Sequence, residues 1–234
     1  RLQGDWSSDV CSSDLAAFVA GAATVAGFAP VEGFPLPLLT LAALFWLWHE
    51  ASASRAFFLG WLFGLGLFLF GVSWVYVSLH NFGAMPMPLA AVATLLFCAF
   101  LALFPAIAGW FAARWRKRTG AALVLLYPAL WTLAEWTRDW IFTGFPWLAL
   151  GYSQVPVSPL AGYAPVAGVF GVTLIMAMCS GLLVLAVLNE RRLLVLSGIA
   201  LAVLIGGGWG LKAVEWTRPT GITSTVSLLQ GNVS

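Results

Sequence analysis

Residues 89–113 read LAAVATLLFCAFLALFPAIAGWFAA, a stretch without Asp, Glu, Lys or Arg. An α-helix rises about 1.5 Å per residue, so about 20 apolar residues cross the roughly 30 Å hydrocarbon core of a bilayer. A surface helix of a soluble domain needs a polar face, which this stretch lacks. It therefore predicts a membrane-spanning helix, and the basic RWRKR that follows at 114–118 predicts a cytoplasmic end.

The whole 234-residue chain shares this character. Hydrophobic residues make up 61% and charged residues 9%, and the mean hydropathy is +0.94. The formal net charge of +2 is too small for a nucleic-acid binder, and the basic residues are scattered between apolar runs. Two of the three cysteines lie inside apolar runs, which excludes a disulfide-stapled secreted protein. We predict an all-α fold, a polytopic transmembrane helical bundle.

Seven apolar runs predict a bundle of about seven spans. The first two runs are short and are separated by the proline-rich FAPVEGFPLP at 28–37, so a shallow helical hairpin and a count of six form the alternative. Gly60 and Gly64 in the third run predict close helix packing. The runs are 16–29, 36–48, 56–79, 89–113, 121–136, 163–188 and 193–211.

The basic residues predict the orientation, because Lys and Arg near span ends are retained on the cytoplasmic side. With the N-terminus inside, eight of them fall in cytoplasmic segments and three outside, which predicts a cytoplasmic N-terminus and an outside C-terminus. The cytoplasmic set is Arg1, Arg55, Arg114, Arg116, Lys117, Arg118, Arg191 and Arg192, and the outside set is Arg138, Lys212 and Arg218.

The two ends differ from the bundle. Residues 1–15, RLQGDWSSDVCSSDL, are polar, and DWSSDVCSSDL matches the translation of a sequencing adapter, so we interpret them as a non-native tail. A short disordered tail is the alternative. Residues 16–220 form the predicted transmembrane domain. Residues 221–234, GITSTVSLLQGNVS, alternate like a strand, and we expect them to begin a further domain that is truncated here.

Two outside-facing corners carry the informative residues. The first, SWVYVSLHNFGAMPMP at 73–88, has Trp74 and Tyr76, rings typical of the headgroup level, and an apolar turn with Phe82 and Met85. An ordinary interfacial aromatic belt is the plainer interpretation. His80 has no second ligand at metal-binding spacing, and we predict neither a metal nor a cofactor.

The second corner is AEWTRDWIFTGFPWLALGYSQ at 134–154. Glu135 and Arg138 are three residues apart, so on a helix they share a face and can pair. Arg138 could hold a lipid phosphate through its fork, and an ion pair snorkelling at the interface is the alternative. Glycine and proline break the helix at 144–151, which predicts a re-entrant or interfacial loop whose aromatic residues dip into the bilayer.

These corners, together with LAGYAPVAGVFGV at 160–172 and VSLLQGN at 226–232, resemble bacterial apolipoprotein N-acyltransferase. The resemblance covers residues 18–232. It implies a multi-pass protein of the bacterial inner membrane, with an N-terminal bundle followed by a periplasmic nitrilase-like α/β domain, whose first strand would be the segment 221–234. It also implies transfer of an acyl chain from a phospholipid donor, through a thioester, to the N-terminal amine of the diacylglyceryl-cysteine of an apolipoprotein.

The resemblance also implies what this chain lacks. The catalytic Glu, Lys and Cys of the family belong to the nitrilase-like domain, so none is expected here, and Cys98 and Cys179 lie within predicted spans. A thioester needs an activated thiolate and a base within reach, so we predict that this chain alone is inactive.

The corners would then form a mouth through which lipids reach the catalytic domain. We expect Glu135, Arg138 and Gln154 to orient headgroups or brace the loop. A small lipid transporter or a catalytically empty membrane scaffold is the alternative function; no inverted repeat or paired broken helices favours the transporter. The expected apolar lining is Trp74, Tyr76, Phe82, Met85, Phe145, Pro146, Trp147 and Tyr152.

Overall fold

The structure is a computed structural model that describes residues 4–116, 120–188, 191–218, 221 and 225–230. Within these residues the chain is helical and contains no β-strand. The helices are α1 (Gly4–Thr24), α2 (Pro35–Glu50), α3 (Ala53–Gly71), the single turn α4 (Trp74–Val77), α5 (Met87–Leu101), α6 (Leu103–Trp115), α7 (Tyr127–Trp140), α8 (Ala164–Leu188) and α9 (Arg191–Lys212).

The described residues contain four segments that are long and apolar enough to cross a membrane, so this is a multi-pass membrane protein. They are Ala53–Gly71, Met87–Trp115, Pro159–Leu188 and Leu193–Lys212. The other three predicted spans correspond to α1, to α2 and to α7 with the π-helical turn Ala122–Leu126 before it. Because these three fall short in length or apolarity, the count of seven stays a prediction.

The run at 89–113 does not form one uninterrupted helix. Helix α5 ends at Leu101 and α6 begins at Leu103. Pro105 has no backbone N–H with which to bond the carbonyl of residue 101, and its ring crowds that turn, which accounts for the break. The two helices still form one apolar segment of 29 residues.

Helix α3 packs against α1 and α6. A Cβ atom added to Gly60 would lie 2.5 Å from the carbonyl oxygen of Pro105, and one added to Gly64 would lie 2.8 Å from the Cα atom of Ala102. Two glycines one turn apart therefore let the backbones of α3 and α6 approach closely, which agrees with the packing predicted for this pair.

Helix α8 packs against α2, α7 and α9, and buried aromatic rings join α2, α3 and α7. The Trp48 ring lies 6.2 Å from Tyr127 and 6.3 Å from Trp131, and Phe63 lies 5.7 Å from Trp131. This cluster fixes α7, the helix that carries Glu135 and Arg138, within the bundle.

The ends of the chain bear on the predicted domain boundaries. Helix α1 begins at Gly4 and runs through most of the segment interpreted as a tail, and Asp14 forms an ion pair of 2.6 Å with Arg55. The structure therefore has a helix where the alternative interpretation expects a short disordered tail. At the other end, residues 225–230 form neither helix nor strand, and Leu228 and Leu229 are fully exposed. The remaining predicted strand residues, except Gly221, lie outside the described residues.

Candidate functional site

Three loops meet at one end of the bundle. They follow the C-terminal ends of α1, α3 and α7 and comprise residues 25–34, 72–86 and 141–163. Gln154 of the third loop contacts Phe34 of the first, and Trp147 of the third contacts Trp74 of the second. The opposite end carries Arg116, whose Nη1 donates to the carbonyl oxygens of Trp48 (2.7 Å) and His49. The structure therefore brings both predicted corners together at the end predicted to face outside.

The loop after α7 has an unusual backbone. Phe142, Thr143 and Leu148 have φ angles of 52°, 79° and 60°, a region that residues other than glycine seldom adopt. Gly144 has φ 82°, and a Cβ atom there would collide with the carbonyl group of Asp139. Such strained backbone persists only where surrounding groups hold it in place.

Arg138 is one of the groups that hold this loop. Its side chain is buried, and Nη1 donates to the carbonyl oxygens of Phe145 at 2.5 Å and Trp147 at 2.6 Å. The guanidinium also lies 5.2 Å from the ring centre of Phe68 on α3. A buried cation needs such partners, because burial without them is costly. Arg138 thus fixes the loop backbone on both sides of Pro146.

Glu135 holds the next part of the loop. Its Oε1 accepts hydrogen bonds from Trp131 Nε1 (2.9 Å) and from the backbone N–H of Leu150 (3.0 Å). Its Oε2 accepts from Thr173 Oγ1 on α8 (2.9 Å), and the same hydroxyl accepts from the N–H of Gly151 (2.8 Å). One buried carboxylate therefore joins α7, α8 and the turn Leu150–Gln154.

The expected pairing of Glu135 with Arg138 takes a different form. Both side chains are buried on the same side of α7, but no direct ion pair between them is present among the contacts of the described residues. Each is satisfied instead by the loop backbone. Thr173 and Trp131 were missed by the sequence interpretation, because a threonine and a tryptophan in apolar runs give no signal of a carboxylate partner.

Gln154 closes the loop onto the first corner. It is almost completely buried, and its Nε2 donates to the carbonyl oxygen of Phe34 and to Ser153 Oγ, both at 3.0 Å. Gln154 therefore braces the start of α2 against the loop after α7, and it has no exposed polar atom positioned to meet a lipid headgroup directly.

Aromatic rings line the outer side of the loop at 141–163, which we call the braced loop. The ring centres of Trp74 and Trp147 lie 5.3 Å apart, those of Phe145 and Trp147 lie 6.0 Å apart, and Phe97 of α5 meets Phe145 at 5.1 Å. Trp74 is 43% exposed and Trp147 is 50% exposed. Half-exposed indole rings at the end of a bundle are typical of the headgroup level of a bilayer.

Tyr76, Phe82 and Met85 do not join this row. Tyr76 stacks on His80 at 5.6 Å, and His80 Nδ1 bonds the carbonyl oxygen of Met85 at 2.8 Å. Phe82 is 83% exposed. The polar and ring contacts of these three residues stay within the first corner, among the residues that the structure describes.

Several cavities border the loop. A groove of about 650 Å³ lies between the first loop, the end of α3 and the third loop, and it includes Pro146, Trp147 and Tyr152. An apolar cleft of about 380 Å³ lies between α6 and α7, and Phe142 contributes to its wall. The described residues contain no cluster of His, Cys, Asp and Glu suited to a metal ion, and Cys98 and Cys179 are fully buried.

The sequence pattern of the apolipoprotein N-acyltransferase N-terminal domain matches residues 20–182, which include the whole braced loop. This chain belongs to that family. It is 48% identical over 220 residues to the apolipoprotein N-acyltransferase of Nitrosomonas europaea, which covers 94% of this chain and 44% of the relative. The corresponding proteins of Ralstonia nicotianae and Vibrio cholerae are 46% and 41% identical over 226 and 221 residues. They cover 95% and 94% of this chain and 42% and 43% of the relatives.

The chain therefore spans less than half the length of these curated relatives. Within that span the loop after α7 is held by Glu135, Arg138 and Gln154. Its partners come from α2, α3, α7 and α8, so the bundle as a whole determines where the loop lies.

Proposed function

We propose that this chain is the membrane part of an apolipoprotein N-acyltransferase of the bacterial inner membrane. In the whole protein an acyl chain from a phospholipid would pass to the N-terminal amine of the diacylglyceryl-cysteine of an apolipoprotein. The observation that carries the proposal is the family match over residues 20–182, supported by 48% identity to a protein of that name. The remainder of such a protein would supply the nitrilase-like domain, beginning with the strand predicted at 221–234.

The braced loop would serve as the lipid-facing wall of the active site. Glu135, Arg138 and Gln154 act as positioning residues, since their polar atoms bond backbone groups of the loop and of Phe34, the residue before α2. The positions that would contact acyl chains are those of the outer corners: Trp74, Tyr76, Phe82, Met85, Phe145, Pro146, Trp147 and Tyr152. Among them Trp147 is the strongest candidate, because it is half exposed and lies between the corners.

A chimera tests this proposal. The 220-residue matching part of the Nitrosomonas europaea relative would be replaced by this chain, and the product assayed for acyl transfer from phospholipid to a diacylglyceryl-cysteine peptide. We expect transfer, and we expect the Trp147→Ala chimera to lose at least about tenfold in rate, because a large apolar contact with the acyl chain disappears. A chimera built from the Ralstonia nicotianae segment controls for damage at the junction.

The opposite result would be a membrane-inserted chimera without transfer while the Ralstonia chimera is active. That outcome would favour a catalytically empty scaffold or a small lipid transporter. Wild-type transfer by the Trp147→Ala chimera would remove Trp147 from the lining.

We further propose that this chain alone does not form an acyl-enzyme. Cys98 and Cys179 are buried within α5 and α8, where no water-borne base or substrate headgroup reaches their sulfur atoms. Incubation of the purified chain with radiolabelled phospholipid should leave no hydroxylamine-sensitive label. A label that disappears in Cys98→Ser or Cys179→Ser would contradict this, and Cys11→Ser controls for the exposed cysteine.

A further inference from the structure

The outer end of α9 packs against the last part of the braced loop. Tyr163 OH donates to the carbonyl oxygen of Leu204 at 2.9 Å. One turn farther along α9 the two backbones touch, because a Cβ atom added to Gly162 would collide with the carbonyl oxygen of Gly208. The apolar stretch of α9 is only 11% buried, compared with 39–56% for the other three candidate spans. A helix with so little contact elsewhere depends on the loop for its position.

Lys212, the last residue of α9, adds a polar link to the same loop. Its Nζ donates to the carbonyl oxygens of Pro156 at 2.6 Å and Val157 at 3.3 Å, and it lies 5.9 Å from the ring centre of Trp209. The buried polar side chains of α7 and of the loop itself hold residues 145–154. Lys212 therefore holds the part of the loop that follows, and it does so from another helix.

The chain leaves α9 in a defined direction. We call residues 213–218 the exit segment. The N–H of Val214 donates to the carbonyl oxygen of Leu211 at 3.2 Å, and Trp216 Nε1 donates to the same oxygen at 3.1 Å. These bonds cap the C-terminal end of α9 and fold the exit segment against it. The exit segment therefore begins one residue after the link between Lys212 and the braced loop.

We propose that Lys212 is a positioning residue for acyl transfer, which sets the exit segment and the domain that follows it relative to the braced loop. The inference rests on the proposed function, in which the chain after α9 begins the nitrilase-like domain. It deepens that function by naming a residue that aligns the lipid-facing wall with the domain that carries out the chemistry. Alignment matters because a misplacement of about 1 Å far from the reacting atoms can cost about 100-fold in rate.

The chemistry of lysine suits this link. An ammonium is a compact charge with three donors on a flexible stem, so it can bond two neighbouring carbonyl oxygens at once. The side chain is exposed, and exposed charged contacts add little to overall stability. Its loss should therefore change the geometry of the exit segment without unfolding the bundle.

Kinetics of the chimera with the Nitrosomonas europaea relative test the inference. In Lys212→Met, which keeps the apolar stem, we expect kcat to fall at least about tenfold. The rate would be divided by the number of sites that form an acyl-enzyme, so that inactive protein does not count. KM for phospholipid and for the peptide should stay unchanged, because the aromatic lining is untouched. Lys212→Arg should restore most of kcat, since a guanidinium can donate to the same two carbonyl oxygens.

Hydrogen exchange of the same chimeras locates the effect. The amides of Ser158 and Val214 lie on the two sides of the link and bond the carbonyl oxygens of Gln154 and Leu211. Both should exchange faster in Lys212→Met and regain protection in Lys212→Arg.

Arg218→Gln is the matched control, because this exposed cation of the exit segment forms its ion pair within the segment, with Glu215. We expect the unmodified kcat and unmodified exchange at Ser158. The melting temperatures of Lys212→Met and of the unmodified chimera should agree.

An unchanged kcat in Lys212→Met, or a loss that Lys212→Arg does not restore, would overturn the inference. So would a lower melting temperature that accompanies the loss, which would make Lys212 merely structural, or a loss without faster exchange at Ser158 and Val214. An active chimera that is insensitive to Lys212→Met refutes this inference alone. An inactive unmodified chimera beside an active Ralstonia chimera refutes the proposed function itself.

Discussion

At the scale of single residues, Arg138 of the second corner forms hydrogen bonds with the backbone of its own loop. Sequence reasoning leaves two roles open for this guanidinium, binding a lipid phosphate or forming an ion pair with Glu135 at the interface, since an ionisable residue at the end of an apolar run is costly without a partner. In the structure, Arg138 Nη1 donates to two carbonyl oxygens of its own loop. A positioning role follows from this geometry, and we propose that the exposed aromatic rings of the loop make the lipid contacts.

Replacing Arg138 tests that role. In Arg138→Gln the carbonyl oxygens of Phe145 and Trp147 lose a charged donor, and a hydrogen bond to a charged group contributes about 1.5–3 kcal/mol. We expect a clear loss of thermal stability and faster hydrogen exchange of the backbone amides at 144–151. Arg218→Gln is the matched control, because that side chain is exposed and forms an ion pair with Glu215. Unchanged exchange in Arg138→Gln would show that the loop holds its shape without the guanidinium.

At the scale of elements, one carboxylate couples α7 to α8. Glu135 and Thr173 are 38 residues apart and meet at 2.9 Å. In a double-mutant cycle of Glu135→Gln and Thr173→Val, we expect a coupling free energy of about 1–2 kcal/mol, as for residues that share a hydrogen-bond network. Glu135→Gln combined with Thr94→Val, a buried threonine that bonds Ala90 within its own helix, should show coupling near zero. Urea unfolding in mixed micelles provides the free energies, and additive effects at Glu135 and Thr173 would exclude the link.

The contact between α3 and α6 has its own test. Alanine at Gly60 places a Cβ atom against the Pro105 carbonyl, whereas alanine at Gly198 meets nothing within 4 Å. Overpacking of a close contact costs about 1–3 kcal/mol, while a helical glycine in open space gains up to about 1 kcal/mol from alanine. The unfolding free energies of Gly60→Ala and Gly198→Ala should therefore change in opposite directions. A stabilised Gly60→Ala variant would mean that the helices are less closely packed.

At the scale of the whole molecule, the apolar runs predict the long helices because burial in lipid is specified by local composition alone. The break between α5 and α6 follows from Pro105, a local feature as well, although the length of the run conceals it. The residues that contact Glu135 and Gln154, in contrast, cannot be predicted from local composition. Thr173 and Phe34 meet Glu135 and Gln154 through packing across 38 and 120 residues of chain, and no local pattern encodes these distances.

Helix α2 is one of the three segments on which the number of spans depends. This helix has 16 residues, so it is about 24 Å long and short for a bilayer core. Yet it begins directly after Phe34, which contacts Gln154 of the third loop, and it ends beside Arg116 at the other end of the bundle. A helix that joins both ends must cross the membrane if those ends face opposite sides, as seven spans require.

Cysteine accessibility in intact spheroplasts checks this topology. In a Cys11→Ser background, Tyr152→Cys should react with a membrane-impermeant maleimide from outside, and Glu50→Cys only after lysis. Both native side chains are exposed, so neither substitution buries the thiol, and the fully buried Cys98 and Cys179 should contribute little label. Labelling of both cysteines from outside would mean that α2 turns back within the outer half of the bilayer, and the chain would then have fewer than seven spans. Labelling of Glu50→Cys alone would reverse the predicted orientation and place the loop after α7 and the adjacent groove on the cytoplasmic side.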